Sequence, residues 1–92
     1  MQQNENFTLR NIGDIYFIVP AAQTTFLSVG QMLTVNETGA YLWNCLKKSQ
    51  TIEELASSLQ SYYNIDYTMA FEDTEHFVEE LQKINAVKLS FE

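Results

Sequence analysis

The chain has 92 residues, with 12 Asp and Glu against 5 Lys and Arg, and it therefore carries a formal net charge of −7. This length allows one small domain and no second, because typical domains hold about 100–150 residues. So few basic residues weigh against nucleic-acid binding, which needs Lys and Arg to neutralise phosphates, and the same charge disfavours anionic membrane surfaces.

The first six residues are polar and lack the basic and apolar regions of a signal peptide. We therefore predict a flexible tail over residues 1–6 and a single domain over residues 7–92. The single Cys cannot form an internal disulfide, which favours a cytoplasmic location. No apolar run approaches the roughly 20 residues that cross a bilayer.

A β-hairpin is predicted near the start of the domain. Residues 7–12 alternate in polarity, and residues 15–19 form a continuous apolar run rich in β-formers. Gly13 and Asp14 separate the two runs, and Gly supplies the positive φ that a primed two-residue turn needs.

A second hairpin signal follows along the chain. Residues 25–29 and 32–35 are again rich in β-formers, and Gly30 stands first in the two-residue break between them. The first 35 residues therefore indicate a small, mostly antiparallel sheet.

The periodicity then changes to that of helices. Asn36 is a good cap for a first helix over about residues 37–48. Thr51 and Glu54 have the spacing of a capping box, in which each side chain bonds a backbone N–H of the other residue, so a second helix begins there.

A third helix and a strand-like tail complete the pattern. Asp66 is a candidate cap for a helix over about residues 67–84, and residues 86–92 alternate like a terminal strand. A small sheet followed by three helices predicts the α+β class and the layout of a winged helix-turn-helix domain.

Residues 36–40, Asn-Glu-Thr-Gly-Ala, follow a predicted strand and open a helix that contains Trp43. This arrangement resembles the signature of PqqD-like proteins. Further segments are similar to that family in the same order, so the resemblance covers about residues 7–87. These segments are residues 18–20, 51–55, 63–66 and 77–81.

The resemblance implies a winged helix-turn-helix fold and a peptide-binding function. Members of the family include a chaperone of the precursor peptide in pyrroloquinoline quinone biosynthesis and the related RiPP recognition elements. These modules hold the leader of a ribosomally made peptide as an added strand, in a groove against the third helix. They present it to a modifying enzyme, often a radical SAM protein. The resemblance thus implies a non-catalytic module without a cofactor.

Strand addition needs an exposed sheet edge and an apolar wall beside it. We predict residues 25–29 as the edge, although residues 32–35 or the tail are alternatives, and the third helix as the wall. The predicted edge residues are Thr25, Phe26, Leu27, Ser28 and Val29, and the predicted wall residues are Phe71, Thr74, Glu75 and Val78.

The third helix is strongly acidic, with Lys83 as its one basic residue. This charge favours a leader that carries Lys or Arg, or it is an ordinary solvated face. It also argues against placing this helix in a DNA groove. The acidic residues are Glu72, Asp73, Glu75, Glu79 and Glu80.

Three other side chains are expected to have no functional role: His76 as a solvated surface residue, and Cys45 and Trp43 as apolar residues of the first helix. His76 has no second His with which to form a metal site, Cys45 has no His nearby to activate it, and Trp43 lies on an apolar helix stripe.

Two further functions remain as alternatives. The fold also permits a winged-helix transcriptional regulator, and the chain also suits an obligate structural subunit of a maturation complex. As a peptide-binding module, the protein is expected to be a monomer or a weak homodimer that binds neither nucleic acid nor membrane. The tail over residues 87–91 is a candidate to pair with a sheet edge of the same or of a second copy, in competition with the leader.

Overall fold

Four strands precede three helices, and a fifth strand follows them, in the residues that the computed structural model describes, 1–21 and 32–88. The order confirms the predicted α+β class and the winged helix-turn-helix layout. The elements are β1 (Gln2–Gln3), β2 (Phe7–Ile12), β3 (Ile15–Pro20), β4 (Leu33–Val35), α1 (Glu37–Cys45), α2 (Ile52–Tyr63), α3 (Tyr67–Lys83) and β5 (Val87–Lys88).

Strands β2, β3 and β4 form an antiparallel sheet in that order. Strands β2 and β3 are the predicted first hairpin, because Ile12 pairs with Ile15 across a two-residue turn in which Gly13 has a φ of 60°. Strand β4 pairs with the other side of β3, with Leu33 opposite Ile18. Strand β3 is therefore the central strand, as its continuous apolar run predicts.

The helices begin at the predicted caps. The Gly39 N–H donates to Asn36 Oδ1 at 2.9 Å. The Glu54 N–H donates to Thr51 Oγ1 at 3.0 Å, and the Thr51 N–H donates to Glu54 Oε1 at 2.8 Å, which completes the capping box. Asp66 occupies the N-cap position of α3, although its side chain makes no capping hydrogen bond.

Helix α1 ends at Cys45, short of the predicted residue 48. The Leu46 N–H is shared between the carbonyls of Leu42 and Trp43, at 3.2 and 3.1 Å, which is common where a last helical turn tightens.

The core lies between the sheet and the three helices. Each helix presents an apolar stripe to it, and none of the helices in the described ranges is long and apolar enough to cross a membrane. The largest completely buried side chains include Ile18 from the sheet and leucines from all three helices or their ends. These leucines are Leu42, Leu46, Leu55, Leu59 and Leu81.

The N-terminal residues differ from the predicted flexible tail, because Gln2–Gln3 form strand β1, which pairs with β5. Polar groups attach this segment to distant backbone. Gln3 Nε2 donates to the Trp43 carbonyl at 2.8 Å, and Asn4 Nδ2 donates to the Asn85 carbonyl at 2.9 Å. A pattern based on hydrophobicity does not show such hydrogen bonds.

Two predicted β segments lie wholly or partly outside the described residues. Residues 25–29 are among those outside, so the predicted second hairpin is represented by β4 alone. Of the predicted terminal strand, the described part is β5, Val87–Lys88, which pairs with β1 and not with the three-stranded sheet.

Candidate functional site

The backbone directions in the sheet follow from its first turn. In an antiparallel hairpin with a two-residue loop, the residues that flank the loop exchange both hydrogen bonds, and the pairs then alternate. Here the flanking pair is Ile12 and Ile15. Phe17 and Val19 therefore also direct their N–H and C=O groups towards β2, while Tyr16 and Ile18 direct theirs towards β4.

This alternation determines which backbone groups of β4 are unused. Tyr16 and Ile18 face β4, so their partners Val35 and Leu33 use their backbone groups within the sheet. The N–H and C=O of Thr34 then point away from β3. No other strand of the described residues pairs with this side of β4, so within that part of the chain the N–H and C=O of Thr34 are open to a further strand.

A cavity of about 230 Å³ lies beside this edge, between β4, the start of α1 and α3. Its buried lining is apolar, and its more exposed lining is polar. The apolar members are Leu33, Gly39, Leu42 and Phe77, and the polar members are Asn36, Thr38, Asp73, His76 and Glu80.

Gly39 brings the three elements of this cavity together. A Cβ atom at this position would lie 2.9 Å from Val35 Cβ and 3.2 Å from Phe77 Cε1. Glycine is therefore required for the first turn of α1 to pack so closely on β4 and α3. The same residue donates its N–H to the Asn36 cap, so one short segment both starts the helix and shapes the cavity.

Helix α3 contributes one continuous stripe to the cavity. Asp73, His76, Phe77 and Glu80 have the i, i+3, i+4, i+7 spacing that places side chains on one helix face. Glu80 forms an ion pair with Lys83 at 2.9 Å, and this hydrogen bond lowers the pKa of Glu80. Asp73 forms no ion pair with any residue in the described ranges.

The structure does not bring the predicted wall residues into this cavity. Thr74 and Val78 are buried and face the core. Phe71 and Glu75 are nearer the surface and line a separate shallow depression. A peptide contact by these residues, like the predicted edge over residues 25–29, stays a prediction.

The sequence pattern does not identify the cavity-lining residues as site residues. The sequence predicts Asn36 as a helix cap and gives His76 no functional role. One sequence feature could have indicated these residues, namely the position of residues 36–39 directly after a predicted strand. A helix that starts there packs its first turn beside the strand edge.

Three tyrosines form an aromatic cluster outside the cavity lining. The rings of Tyr41 and Tyr62 stack with their centroids 4.3 Å apart, and Tyr63 lies edge-on to both. Burial raises the pKa of Tyr41 to about 12. The Tyr41 hydroxyl donates to the Ser58 carbonyl at 3.3 Å, so the cluster connects α1 to α2.

Tyr41 is expected to make the protein less stable at high pH. Its pKa is raised from 10.0 to about 12, so the folded protein binds the proton more tightly than the unfolded chain does. The stabilising contribution is complete below pH 10 and is lost as the pH rises towards 12. Urea unfolding at a series of pH values measures this loss, and Tyr41→Phe is expected to reduce it.

Tyr62→Phe serves as the control, because it keeps the Tyr41 hydroxyl and the Ser58 hydrogen bond. If the wild type and Tyr41→Phe lose stability equally between pH 10 and 12, the pKa shift of Tyr41 does not exist.

No group of three His, Cys, Asp or Glu residues in the described ranges is arranged to hold a metal ion. The titratable residues of the cavity instead lie on a single helix face beside the sheet edge. A backbone edge that no described strand covers, an apolar lining and a polar rim suit an extended polypeptide.

Comparisons with known proteins agree with this architecture. Residues 17–87 match the family model described as Coenzyme PQQ synthesis protein D (PqqD). A solved structure, "TbiB1 in Complex with the TbiA(beta) Leader Peptide", is similar with a TM-score of 0.72, 16% identity and 100% coverage of both chains. At this identity the likeness shows a shared fold. A comparison with curated proteins gives no match.

Proposed function

The chain belongs to the PqqD family, and we propose that it binds the leader of a ribosomally made precursor peptide as an added strand on β4. The observation that carries the proposal is the backbone of Thr34, which no strand of the described residues pairs, beside the cavity between β4 and α3. The fold is that of TbiB1, whose structure contains a leader peptide, which supports the same class of ligand here.

Strand addition accounts for both parts of the site. The N–H and C=O of Thr34 would pair with the leader backbone and supply affinity that is independent of sequence. Alternate side chains of an extended peptide point to opposite faces, so every second leader residue would approach the cavity. The backbone of β4 would thus supply affinity for any extended peptide, and the cavity would discriminate between leader sequences.

The module acts by binding and presentation, without chemistry of its own. The titratable cavity residues Asp73, His76 and Glu80 all lie on one face of α3, and no Ser, Cys or Lys is among the cavity-lining residues. The bound leader is delivered to a modifying enzyme, of radical SAM type as the family resemblance implies. A cytoplasmic location suits such a partnership and the single Cys.

The charge of the protein argues against the transcriptional regulator. In many DNA-binding helix-turn-helix domains a helix enters the major groove between two rows of phosphates. Here α3 carries five acidic residues and Lys83 in a chain of net charge −7. Repulsion of this kind acts against binding most strongly at low salt, where non-specific DNA binding is otherwise strongest.

Substitution of one edge residue tests the proposal. Peptides encoded by short reading frames beside the gene are titrated against the wild type and Thr34→Pro. Proline removes the outward N–H of Thr34 without removing a hydrogen bond to β3, and its ring obstructs an approaching strand. Affinity is expected to fall about tenfold or more, since a net hydrogen bond of about 1 kcal/mol and close packing are both lost.

Asn11→Pro is the matched control. By the same alternation, the N–H of Asn11 points away from β3 at the opposite edge of the sheet. This variant is expected to bind as the wild type does. If no leader binds, or if Asn11→Pro weakens binding as much as Thr34→Pro, the β4 edge is not the binding site. Binding unaffected by both variants would favour another edge, such as residues 25–29.

A further inference from the structure

We infer that the cavity beside Thr34 selects a leader with a long basic side chain, Arg or Lys, next to the segment that pairs with β4. This inference rests on the proposed function and specifies the leader chemistry. It is carried by the cavity volume and by the two carboxylates, Asp73 and Glu80, on its rim.

The cavity has the size of a site for one side chain. Its volume of about 230 Å³ is below the roughly 300–1,000 Å³ of typical small-molecule sites. Its inner lining, which includes the buried Leu42 and Phe77, is apolar, and its polar residues lie on more exposed parts of the chain. A Lys or Arg side chain matches this gradient, because its methylene groups cover apolar surface while the cationic group stays near water.

The charges at the rim favour a cation. Asp73 and Glu80 are two turns apart on the same face of α3, so both carboxylates border the same opening. Asp73 has no ion-pair partner in the described ranges, and the partner of Glu80, Lys83, has a side chain that is 73% exposed and thus easily displaced. An Arg guanidinium would donate to either carboxylate in the geometry that such pairs prefer.

The start of α1 also borders the cavity and acts in the opposite direction. Helix N-termini carry a partial positive charge that favours anions. Here the Gly39 N–H already donates to Asn36, and Glu37 in the first turn offsets part of that charge. Even with Lys83 paired to Glu80, Asp73 leaves one full negative charge on this face of α3, which outweighs the partial charge that remains at the start of α1, so the cavity favours a cation over a carboxylate.

A selection from short randomised peptides tests the inference without knowledge of the natural leader. Peptides displayed on phage are selected on the wild type and on the double variant Asp73→Asn with Glu80→Gln, which keeps side-chain shape and removes two charges. Peptides selected on the wild type are expected to be enriched in Arg or Lys at one position of an otherwise β-forming sequence. Peptides selected on the double variant are expected to lack this enrichment.

The strongest Arg-containing peptide then gives the affinity of the interaction. The double variant is expected to bind it about tenfold more weakly than the wild type does. Replacing the Arg with neutral citrulline is expected to weaken binding to the wild type by a similar factor. The same replacement is expected to change the affinity of the double variant little, because the peptide change and the protein change remove the same interaction.

Glu72→Gln with Glu79→Gln is the matched control. These residues are also seven positions apart on α3, are exposed and lie outside the cavity lining, so the variant has the same net charge as the first. An equal loss of affinity in both double variants, or no enrichment of Arg and Lys on the wild type, overturns the inference.

The Thr34→Pro variant separates this inference from the proposed function. If Thr34→Pro weakens the selected peptides but no basic preference appears, strand addition stands and the inference fails. If Thr34→Pro has no effect, or if no peptide is selected, the proposed function fails and the inference fails with it.

Discussion

Replacing Gly39 with alanine is expected to destabilise the fold and to weaken peptide binding together. The new Cβ would lie 2.9 Å from Val35 Cβ, closer than such atoms pack, and 3.2 Å from the Phe77 ring. Val35 Cβ is fixed to the backbone of β4, so a side-chain rotation does not relieve the contact. Strand β4 and helix α1 must separate, which moves the Thr34 edge and reshapes the cavity.

Two opposing effects determine whether Gly39→Ala raises or lowers the free energy of unfolding. Alanine is favoured over glycine inside a helix by about 1 kcal/mol, and this gain is at most partial in the first turn. Overpacking a close contact costs about 1–3 kcal/mol, and here β4 and α3 are both contacted. We therefore expect a net loss of about 1–2 kcal/mol, which corresponds to a fall in Tm of about 4–16 °C for a domain of this size.

Thermal unfolding and peptide titration of Gly39→Ala check both effects. Asn44→Ala, at an exposed position of the same helix, is the control for helix propensity and is expected to leave Tm unchanged or raise it slightly. A Gly39→Ala protein with the Tm and the affinity of the wild type would show that the close contact is relaxed without effect on the site.

The elements of the fold that depend on local chemistry were predictable from the sequence. The cap at Asn36, the capping box of Thr51 and Glu54, and the turn at Gly13 each involve residues within four positions of one another. The pairing of the N-terminal residues was not predictable in this way. Asn4 bonds the carbonyl of Asn85, 81 positions away, and no local periodicity contains that information.

The candidate site was predictable in kind but not by residue. A sheet edge beside the third helix follows from the resemblance, whereas the rotation of α3 about its axis does not. Periodicity places Thr74 and Phe77 on the same inner side of the helix. Tertiary packing of β4 and Gly39 against Phe77 then decides that the stripe through Asp73 and Glu80 borders the edge, while Thr74 faces the core.

Thr74→Val is expected to stabilise the protein. Thr74 is completely buried in α3, and its Oγ1 has no hydrogen-bond partner among the described residues. An unsatisfied buried hydroxyl costs about 1–3 kcal/mol, and valine replaces it with a methyl group of similar size. Thr and Val have similar helix propensities, so the removal of the unsatisfied hydroxyl decides that stability rises. We expect a gain of about 1–2 kcal/mol and a rise in Tm of about 4–8 °C per kcal/mol.

Two controls isolate the hydroxyl as the cause. Thr74→Ser keeps the hydroxyl and deletes the methyl group, and it is expected to lower stability by about 1 kcal/mol. Thr68→Val makes the same replacement at an exposed position of the same helix and is expected to change stability by no more than about 0.5 kcal/mol.

Because Thr74 lies outside the lining of the cavity, Thr74→Val is also expected to keep peptide affinity. A loss of affinity without a loss of stability would instead place Thr74 in the binding site, as the sequence alone predicts, and would mean that α3 rotates when the peptide binds.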